Sequence, residues 1–167
     1  PMLLREALPI APHDTLGSLH DRLAPLGARL IVHALEALER DALVPAPQPA
    51  QGVTYADKVA KREARIDWRR RAAEVDRVVR AFNPAPGAVA ALRRQDVKIW
   101  RAAPCAGAGR SGEVLAADDD GIVVACSDGA LRILELQRAG GKRPAPGEFL
   151  RGFAIAAGDR FDPPPAD

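Results

Sequence analysis

The chain has few of the residue types that define several large classes of protein. Aromatic residues make up only 4% of its 167 residues, and there are two cysteines and one methionine. No apolar run approaches the roughly 20 residues that span a bilayer, and Arg5 and Glu6 place charges where a secretory signal would be apolar. These absences argue against a membrane-spanning protein and against a secreted one, so we expect a cytoplasmic location.

Metal and disulfide chemistry also lack their usual sequence patterns. Cys105 and Cys126 lie far apart, with no Cys-x-x-Cys pair and no histidine at ligand spacing. The run Asp118-Asp119-Asp120 precedes a glycine but lacks the alternating ligands and distal glutamate of a calcium loop, so it predicts a polar hairpin turn. We therefore predict neither a metal site nor a disulfide.

No enzyme motif is present in the chain. The patterns of dinucleotide-binding loops, phosphate-binding loops, zinc peptidases and serine hydrolases are all missing. His13, His20 and His33 fall in a turn or on a helix surface, away from the apolar positions, and we predict no catalytic residue among them. Trp68 and Trp100 lie in alternating apolar patterns, so they are predicted to be core rings and not base-stacking platforms.

Positive charge is concentrated in the middle of the chain. Residues 51–101 contain thirteen basic and six acidic residues, a local charge of +7, whereas the rest of the chain carries −5. Clustered cations favour a polyanionic partner, because binding to phosphates releases condensed counterions. A solvated helix face explains the same charge count equally well, so both interpretations remain open at this point.

The first 43 residues are predicted to combine one strand with helices. Residues 2–10 mix apolar and charged side chains, as in a short strand at a sheet margin. Asp14 and Thr15 can cap a helix whose leucines recur on both sides of Pro25, which predicts two helices broken there or one kinked helix. These leucines need a partner surface, so we expect residues 1–43 to be protease-sensitive or to self-associate.

A small β domain is predicted to follow a linker. Three prolines between Pro45 and Pro49 favour an extended chain. A helical pattern follows at residues 72–82. Five short apolar segments separated by glycine turns then predict strands at residues 88–92, 97–102, 112–115, 122–126 and 131–136. Five short strands without exposed edges are typical of an OB-like barrel, and one or two helical turns are predicted at residues 146–151.

Several stretches, in the same order along the chain, resemble methionyl-tRNA formyltransferases. The most specific are ARIDW at residues 64–68, RAFNPAPG at residues 80–87, and residues 136–143 together with Phe149, Leu150 and Gly152. The similarity runs from about Met2 to about Gly152. The resemblance implies an α+β chain with four parts. These are the end of a Rossmann-like catalytic domain at residues 1–43, a linker at 44–61, an OB-like tRNA-binding domain with a preceding helix at 62–158, and a disordered tail at 159–167.

The resemblance also implies an enzyme whose catalytic half precedes Pro1. Members of the family transfer a formyl group from 10-formyltetrahydrofolate to the methionyl group of initiator tRNA, using an Asn, His and Asp trio that cannot be placed on this sequence. We therefore expect this chain alone to be inactive and to bind no cofactor. The family is usually monomeric.

The part of the enzyme that remains is implied to hold the tRNA. Its predicted phosphate contacts are the cations at Lys58, Lys61, Arg62, Arg65, Arg69, Arg70, Arg71, Lys142 and Arg143. Two alternatives are a related formyltransferase acting on a nucleotide sugar or on folate, and an unrelated OB-like interaction module.

Overall fold

A computed structural model describes residues 1–165. Residues 166 and 167, at the end of the predicted tail, lie outside the described residues. The chain forms two compact units, Pro1–Val59 and a second unit that begins at Ala60. Within residues 1–165, no helix has both the length and the apolar character needed to cross a membrane.

The first unit is built on one long helix, α1 (Leu16–Glu39). Thr15 caps it, because the Thr15 hydroxyl accepts a hydrogen bond from the Ser18 amide while the Ser18 hydroxyl accepts one from the Thr15 amide. The helix continues through Pro25, so the expectation of a break into two helices is wrong.

The predicted strand at residues 2–10 is also wrong. Only Met2 makes a β-bridge, to Ala46, because residues 1–59 contain no other strand with which a longer segment could pair. The segment is tied to α1 by side chains instead. Arg22 donates to the Pro9 carbonyl oxygen at 2.9 Å, and Arg29 donates to the Glu6 carboxylate at 2.7 Å.

The leucine stripe of α1 is only partly covered. Leu26 and Ala34 are buried, whereas the side chains of Leu16, Leu23 and Leu35 are 46% to 56% exposed. Most of this apolar face is therefore open in the described structure of the first unit, as the spacing of the leucines predicts.

As far as residue 165, the second unit contains two α-helices and six strands. After a short 3₁₀ helix at Lys61–Ala64, the elements in chain order are α2 (Ala72–Ala81), β1 (Ala88–Leu92), β2 (Gln95–Cys105), β3 (Val114–Asp118), β4 (Gly121–Ala125), β5 (Ala130–Arg138), α3 (Pro146–Gly152) and β6 (Phe161–Asp162). The strands form one antiparallel sheet in the order β3, β4, β5, β2, β1, β6. The α+β class, the two helices and the five predicted strands are confirmed. The Asp119-Asp120 turn of the β3–β4 hairpin is confirmed as well.

The C-terminal strand links the two edges of this sheet. On one side Phe161 and Asp162 pair with β1. On the other side, the Val114 amide donates to the Asp159 carbonyl and the Phe161 amide donates to the Gly112 carbonyl. Phe161 is 1% exposed, so the expectation of a disordered tail starting at residue 159 is wrong for this strand. The sequence pattern does not predict β6, because the pairing of this strand depends on distant residues and because the strand is only two residues long.

A bulge in β2 shapes the centre of the sheet. Ile99 pairs with Leu136 and Arg101 pairs with Glu135, so Trp100 has no partner in the register. Ile99 and Trp100 are consecutive and yet both buried, which a regular strand would not allow, since alternate residues face opposite sides. Both tryptophans of the chain are buried, as predicted.

The β1–β2 hairpin turns through two arginines with left-handed backbone. Leu92 pairs with Gln95, and the intervening Arg93 and Arg94 have φ of 53° and 64°. Glycine and asparagine usually occupy such turns, because a Cβ atom is strained there. The Arg93 side chain compensates by donating to the Ala154 carbonyl at 3.1 Å and to the Asp159 carboxylate at 2.7 Å. Within residues 1–165, the Arg94 side chain has no such partner.

We predict that Arg94→Gly stabilises the chain. A non-glycine residue in the left-handed region costs roughly 1–2 kcal/mol of stability, and glycine avoids this cost. Glycine loses more conformational entropy on folding, which costs roughly 0.5–1 kcal/mol, so the net gain in stability is about 0.5 kcal/mol. Urea unfolding at pH 7 measures it. Arg93→Gly is the matched control, since it relieves similar strain but loses the bonds to Ala154 and Asp159. Equal destabilisation by both variants would contradict this account of the turn.

Candidate nucleic-acid interface

The basic segment at residues 65–71 is fixed to the sheet by its backbone and by one ring. The Ile66 amide donates to the Val89 carbonyl, and the Ser127 amide donates to the Arg70 carbonyl. The Trp68 side chain is 2% exposed, with its ring centroid 5.3 Å from that of Phe161. Because apolar residues alternate with charged ones, burying Ile66 and Trp68 leaves the arginines of this segment at the surface.

Two of the predicted phosphate-binding arginines are engaged by carboxylates. Arg65 donates through Nη1 and Nη2 to both oxygens of Asp96, at 2.8 and 2.9 Å. Arg69 donates through Nε and Nη2 to both oxygens of Asp67, also at 2.8 and 2.9 Å. Two parallel hydrogen bonds hold each guanidinium in a fixed orientation. A phosphate would have to compete with a carboxylate for these two side chains.

The pairing of Asp67 with Arg69 shifts both titrations. The hydrogen bond from the Arg69 side chain, helped by the Arg69 backbone amide, lowers the pKa of Asp67 below its usual value, although burial acts in the opposite direction. The same carboxylate raises the pKa of Arg69. Asp67 is therefore ionised throughout the physiological range and remains paired there.

The other cations of the predicted set that are near this segment in the sequence are exposed. Among residues 1–165, none of their side chains has an acidic partner within 4 Å; they are Lys58, Lys61, Arg62, Arg70 and Arg71. Two nearby acids are used for capping instead. Glu63 accepts from the Ala60 amide at 2.8 Å, and Glu74 accepts from the Arg71 amide at 3.0 Å. The acids interleaved in the sequence therefore form fewer ion pairs with these cations than their number suggests.

The structure brings part of this set together around one open cavity. A cavity of about 370 Å³ is lined by Arg65, Arg69 and Arg70, together with Val75 of α2 and Pro164 after β6. Lys58 belongs to the first compact unit, whereas the remaining predicted residues belong to the second.

The loop after β5 holds the last two predicted residues. The Arg143 guanidinium stacks on the Trp100 ring at 3.6 Å from its centroid and lies 3.7 Å from the Glu135 carboxylate. These contacts give Arg143 a role in covering the tryptophan. Lys142 is exposed and makes no ion pair among the described residues.

The stretch at residues 80–87 has a structural role. Phe82 packs against the core, and the Asn83 side chain donates to the Trp100 carbonyl at 2.8 Å. Gly87 has a φ of 88°, and a Cβ atom there would approach the Trp100 ring to 2.8 Å. Only glycine satisfies both constraints without displacing the ring.

No catalytic arrangement occurs among residues 1–165. The His20 ring lies 3.4 Å from Asp21, but both side chains are at least 75% exposed. No group of three or more histidine, cysteine or acidic side chains in this range could hold a metal ion. Both cysteines are free. The pKa of the Cys126 thiol is raised to about 11, mainly by burial and to a smaller extent by the nearby Cys105.

Sequence comparison places this arrangement in a known family. Residues 58–154 match the family model described as formyl transferase, C-terminal domain. The chain belongs to the formyltransferase family. The alternative of an unrelated interaction module is therefore wrong.

Two curated relatives show how much of a formyltransferase the chain represents. It is 59% identical to methionyl-tRNA formyltransferase from Aromatoleum aromaticum, over 97% of this chain and 51% of that protein. It is 57% identical to methionyl-tRNA formyltransferase from Dechloromonas aromatica, over 98% of this chain and 52% of that protein. The chain thus spans about half the length of these relatives.

The fold is also similar to that of a solved protein with another name. A variant of HypX from Aquifex aeolicus matches 87% of this formyltransferase chain and 28% of its own, with a TM-score of 0.63 and 26% identity. A HypX structure in complex with tetrahydrofolic acid matches 73% of this chain and 23% of its own, with a TM-score of 0.54 and 29% identity.

We predict that the Asp67–Arg69 pair stabilises the fold at neutral pH but not in acid. Asp67→Asn should lower the free energy of unfolding at pH 7 by about 0.5–1 kcal/mol, as expected for a partly exposed ion pair. Because the folded pKa of Asp67 is lowered, its contribution is present above about pH 4 and is lost as the pH falls through that lowered value. Urea unfolding at pH 7 and pH 3 tests this. A difference between variant and unmodified chain that is the same at both pH values would rule it out.

Proposed function

We propose that the chain is the C-terminal half of a methionyl-tRNA formyltransferase and that this half holds initiator methionyl-tRNA by its phosphates. The enzyme would formylate the methionyl group in the cytoplasm during translation initiation. The proposal rests on the exposed cations at residues 58–71 that have no acidic partner within 4 Å among the described residues. They occur in a chain 59% identical to a protein of that name. Phosphate contacts of this type position an RNA without reading its bases.

The two compact units receive different roles under this proposal. The second unit, with its curled sheet linked at both edges by β6, is the OB-like tRNA-binding domain. The first unit is the end of a Rossmann-like catalytic domain, and the open leucine face of α1 supports this because such a face packs against further structure.

The chemical step is assigned to the half of the relatives that this chain does not match. The α-amino group of the methionyl ester must attack a formyl carbon, which requires a positioned base and a donor for the developing oxyanion. His13, His20 and His33 supply neither in the described structure. 10-formyltetrahydrofolate is the proposed formyl donor, and the HypX complex with tetrahydrofolic acid supports a folate ligand in proteins of this fold.

A formyltransferase with another acceptor is the second candidate. The similarity to HypX favours keeping it, because a protein with a different name has a similar fold at 26% identity. A nucleotide sugar or folate as the acceptor would leave the exposed cations at residues 58–71 without a polyanion to bind.

We predict that the 167-residue chain binds tRNA with a strong dependence on salt. Six exposed cations of the predicted set, each contributing about −0.9, together contribute about −5 to the slope of log K against log salt. Lys61→Gln with Arg62→Gln should reduce the magnitude of that slope by about 2, because two phosphate contacts are lost. Fluorescence anisotropy with labelled initiator tRNA measures both values over a range of about 50 to 300 mM salt, which includes the physiological concentration.

The control keeps the change in net charge and moves it elsewhere. Arg110→Gln with Arg151→Gln removes two exposed arginines outside the basic segment, so the slope should change by less than half a unit, roughly the error of such a fit. Binding that does not respond to salt, or equal responses to the two double variants, would reject phosphate binding by the cations at residues 58–71.

A further inference from the structure

The outer face of α2 carries a second cavity next to the one described above. It has a volume of about 300 Å³ and is lined by Arg70, Glu74, Arg77, Val78 and Phe82, with Ala81. Arg70 and Val78 also line the first cavity. The two cavities therefore adjoin along one side of the helix and share an arginine.

The arginines of these cavities divide into two classes by their partners. Arg65 and Arg69 are held by carboxylates through two hydrogen bonds each. Arg70 and Arg77 are exposed, and within residues 1–165 neither guanidinium has an acidic side chain within 4 Å. The two unpaired guanidinium groups therefore both line the second cavity, and that of Arg70 also lines the first.

Glu74 would be the natural partner of Arg77, three residues further along the helix. Its carboxylate is instead committed to the start of the helix, where it accepts from the Arg71 amide at 3.0 Å. Glutamate at this position closes a capping interaction that satisfies a helix-end donor. The cap therefore leaves Arg77 unpaired, while a negative charge remains between the two arginines.

The shape of this surface favours an extended polyanion over a small ion. Two adjoining cavities of about 370 and 300 Å³ are far larger than one phosphate group, and both are open at the surface. Val78 and Phe82 provide apolar surface beside the guanidinium groups, which suits the sugars of a nucleic acid. Guanidinium groups bind phosphate oxygens through paired hydrogen bonds.

We propose that Arg70 and Arg77 on the outer face of α2 contact backbone phosphates of the bound tRNA, and that Glu74 between them weakens this contact. The inference rests on the proposed function, and it adds Arg77 and Glu74 to the binding surface. It also predicts that Arg65 and Arg69 contribute little, because their guanidinium groups are already occupied.

Single substitutions in the 167-residue chain test the proposal by anisotropy with labelled tRNA. Arg77→Gln and Arg70→Gln should each weaken binding about eightfold at 0.1 M salt, the effect of one lost phosphate contact. Glu74→Gln should strengthen binding about twofold to threefold, because glutamine can keep the cap while the repulsive charge is removed. Arg151→Gln is the control for the loss of one exposed charge and should change affinity by less than about twofold.

The outcomes separate this inference from the proposed function. Loss of affinity on Lys61→Gln with Arg62→Gln, but no effect of Arg70→Gln, Arg77→Gln or Glu74→Gln, would overturn the inference and leave the proposed function in place. An unmodified chain that binds no tRNA would overturn both. Polyglutamate that competes with tRNA at equal charge concentration, with the same response to Arg77→Gln, would show an acidic protein as the partner and overturn the assignment to RNA.

Discussion

The burial of Trp68 against Phe161 determines where the basic segment lies. Trp68 belongs to the stretch that enters the second unit, and Phe161 belongs to the strand that links the two edges of the sheet. With this ring buried, the backbone on either side is fixed by bonds to β1 and to the β4–β5 turn. The arginines before and after the tryptophan therefore lie at the surface, and α2 begins at a defined place beside them.

Fewer surface cations lack an acidic partner than the composition suggests, and those that lack one occupy defined positions. Carboxylates hold Arg65 and Arg69 in fixed orientations, and an aromatic ring holds Arg143. Among residues 1–165, the carboxylates of Glu63 and Glu74 accept hydrogen bonds from backbone amides and form no ion pair with a nearby cation. Arginines held in ion pairs and cations without an acidic partner therefore occur side by side in one short stretch of the chain.

Local patterns in the sequence predict the elements of the second unit well. Helix α2 and five strands follow from apolar periodicity and from glycine turns, and the burial of Trp68 and Trp100 follows from the alternating apolar patterns around them. Strand β6 has no comparable local signal, because two residues before a proline run become a strand only when the distant β1 is available. The strand predicted near the N-terminus fails for the converse reason, since the described first unit offers it no sheet.

The candidate site is predicted less completely than the fold. Periodicity places the cations on the surface, and the Asp67–Arg69 pair could have been expected from its local spacing. The Arg65–Asp96 pair spans 31 residues and depends on the pairing of β1 with β2, so the sequence alone gives no sign that Arg65 is occupied. Arg77 stands out only once Glu74 is known to cap the helix. The formyltransferase family is evident from sequence, whereas the division of its cations into paired and free ones is a property of the fold.

The most direct test of that division is the NMR spectrum of the arginine Nε–Hε groups in the 167-residue chain during titration with tRNA. The account predicts that the signals of Arg70 and Arg77 shift progressively and return when salt is raised to about 0.5 M, while those of Arg65 and Arg69 stay in place. Shifts of Arg65 and Arg69 with unchanged signals from Arg70 and Arg77 would show that phosphates displace the carboxylates and would contradict the account.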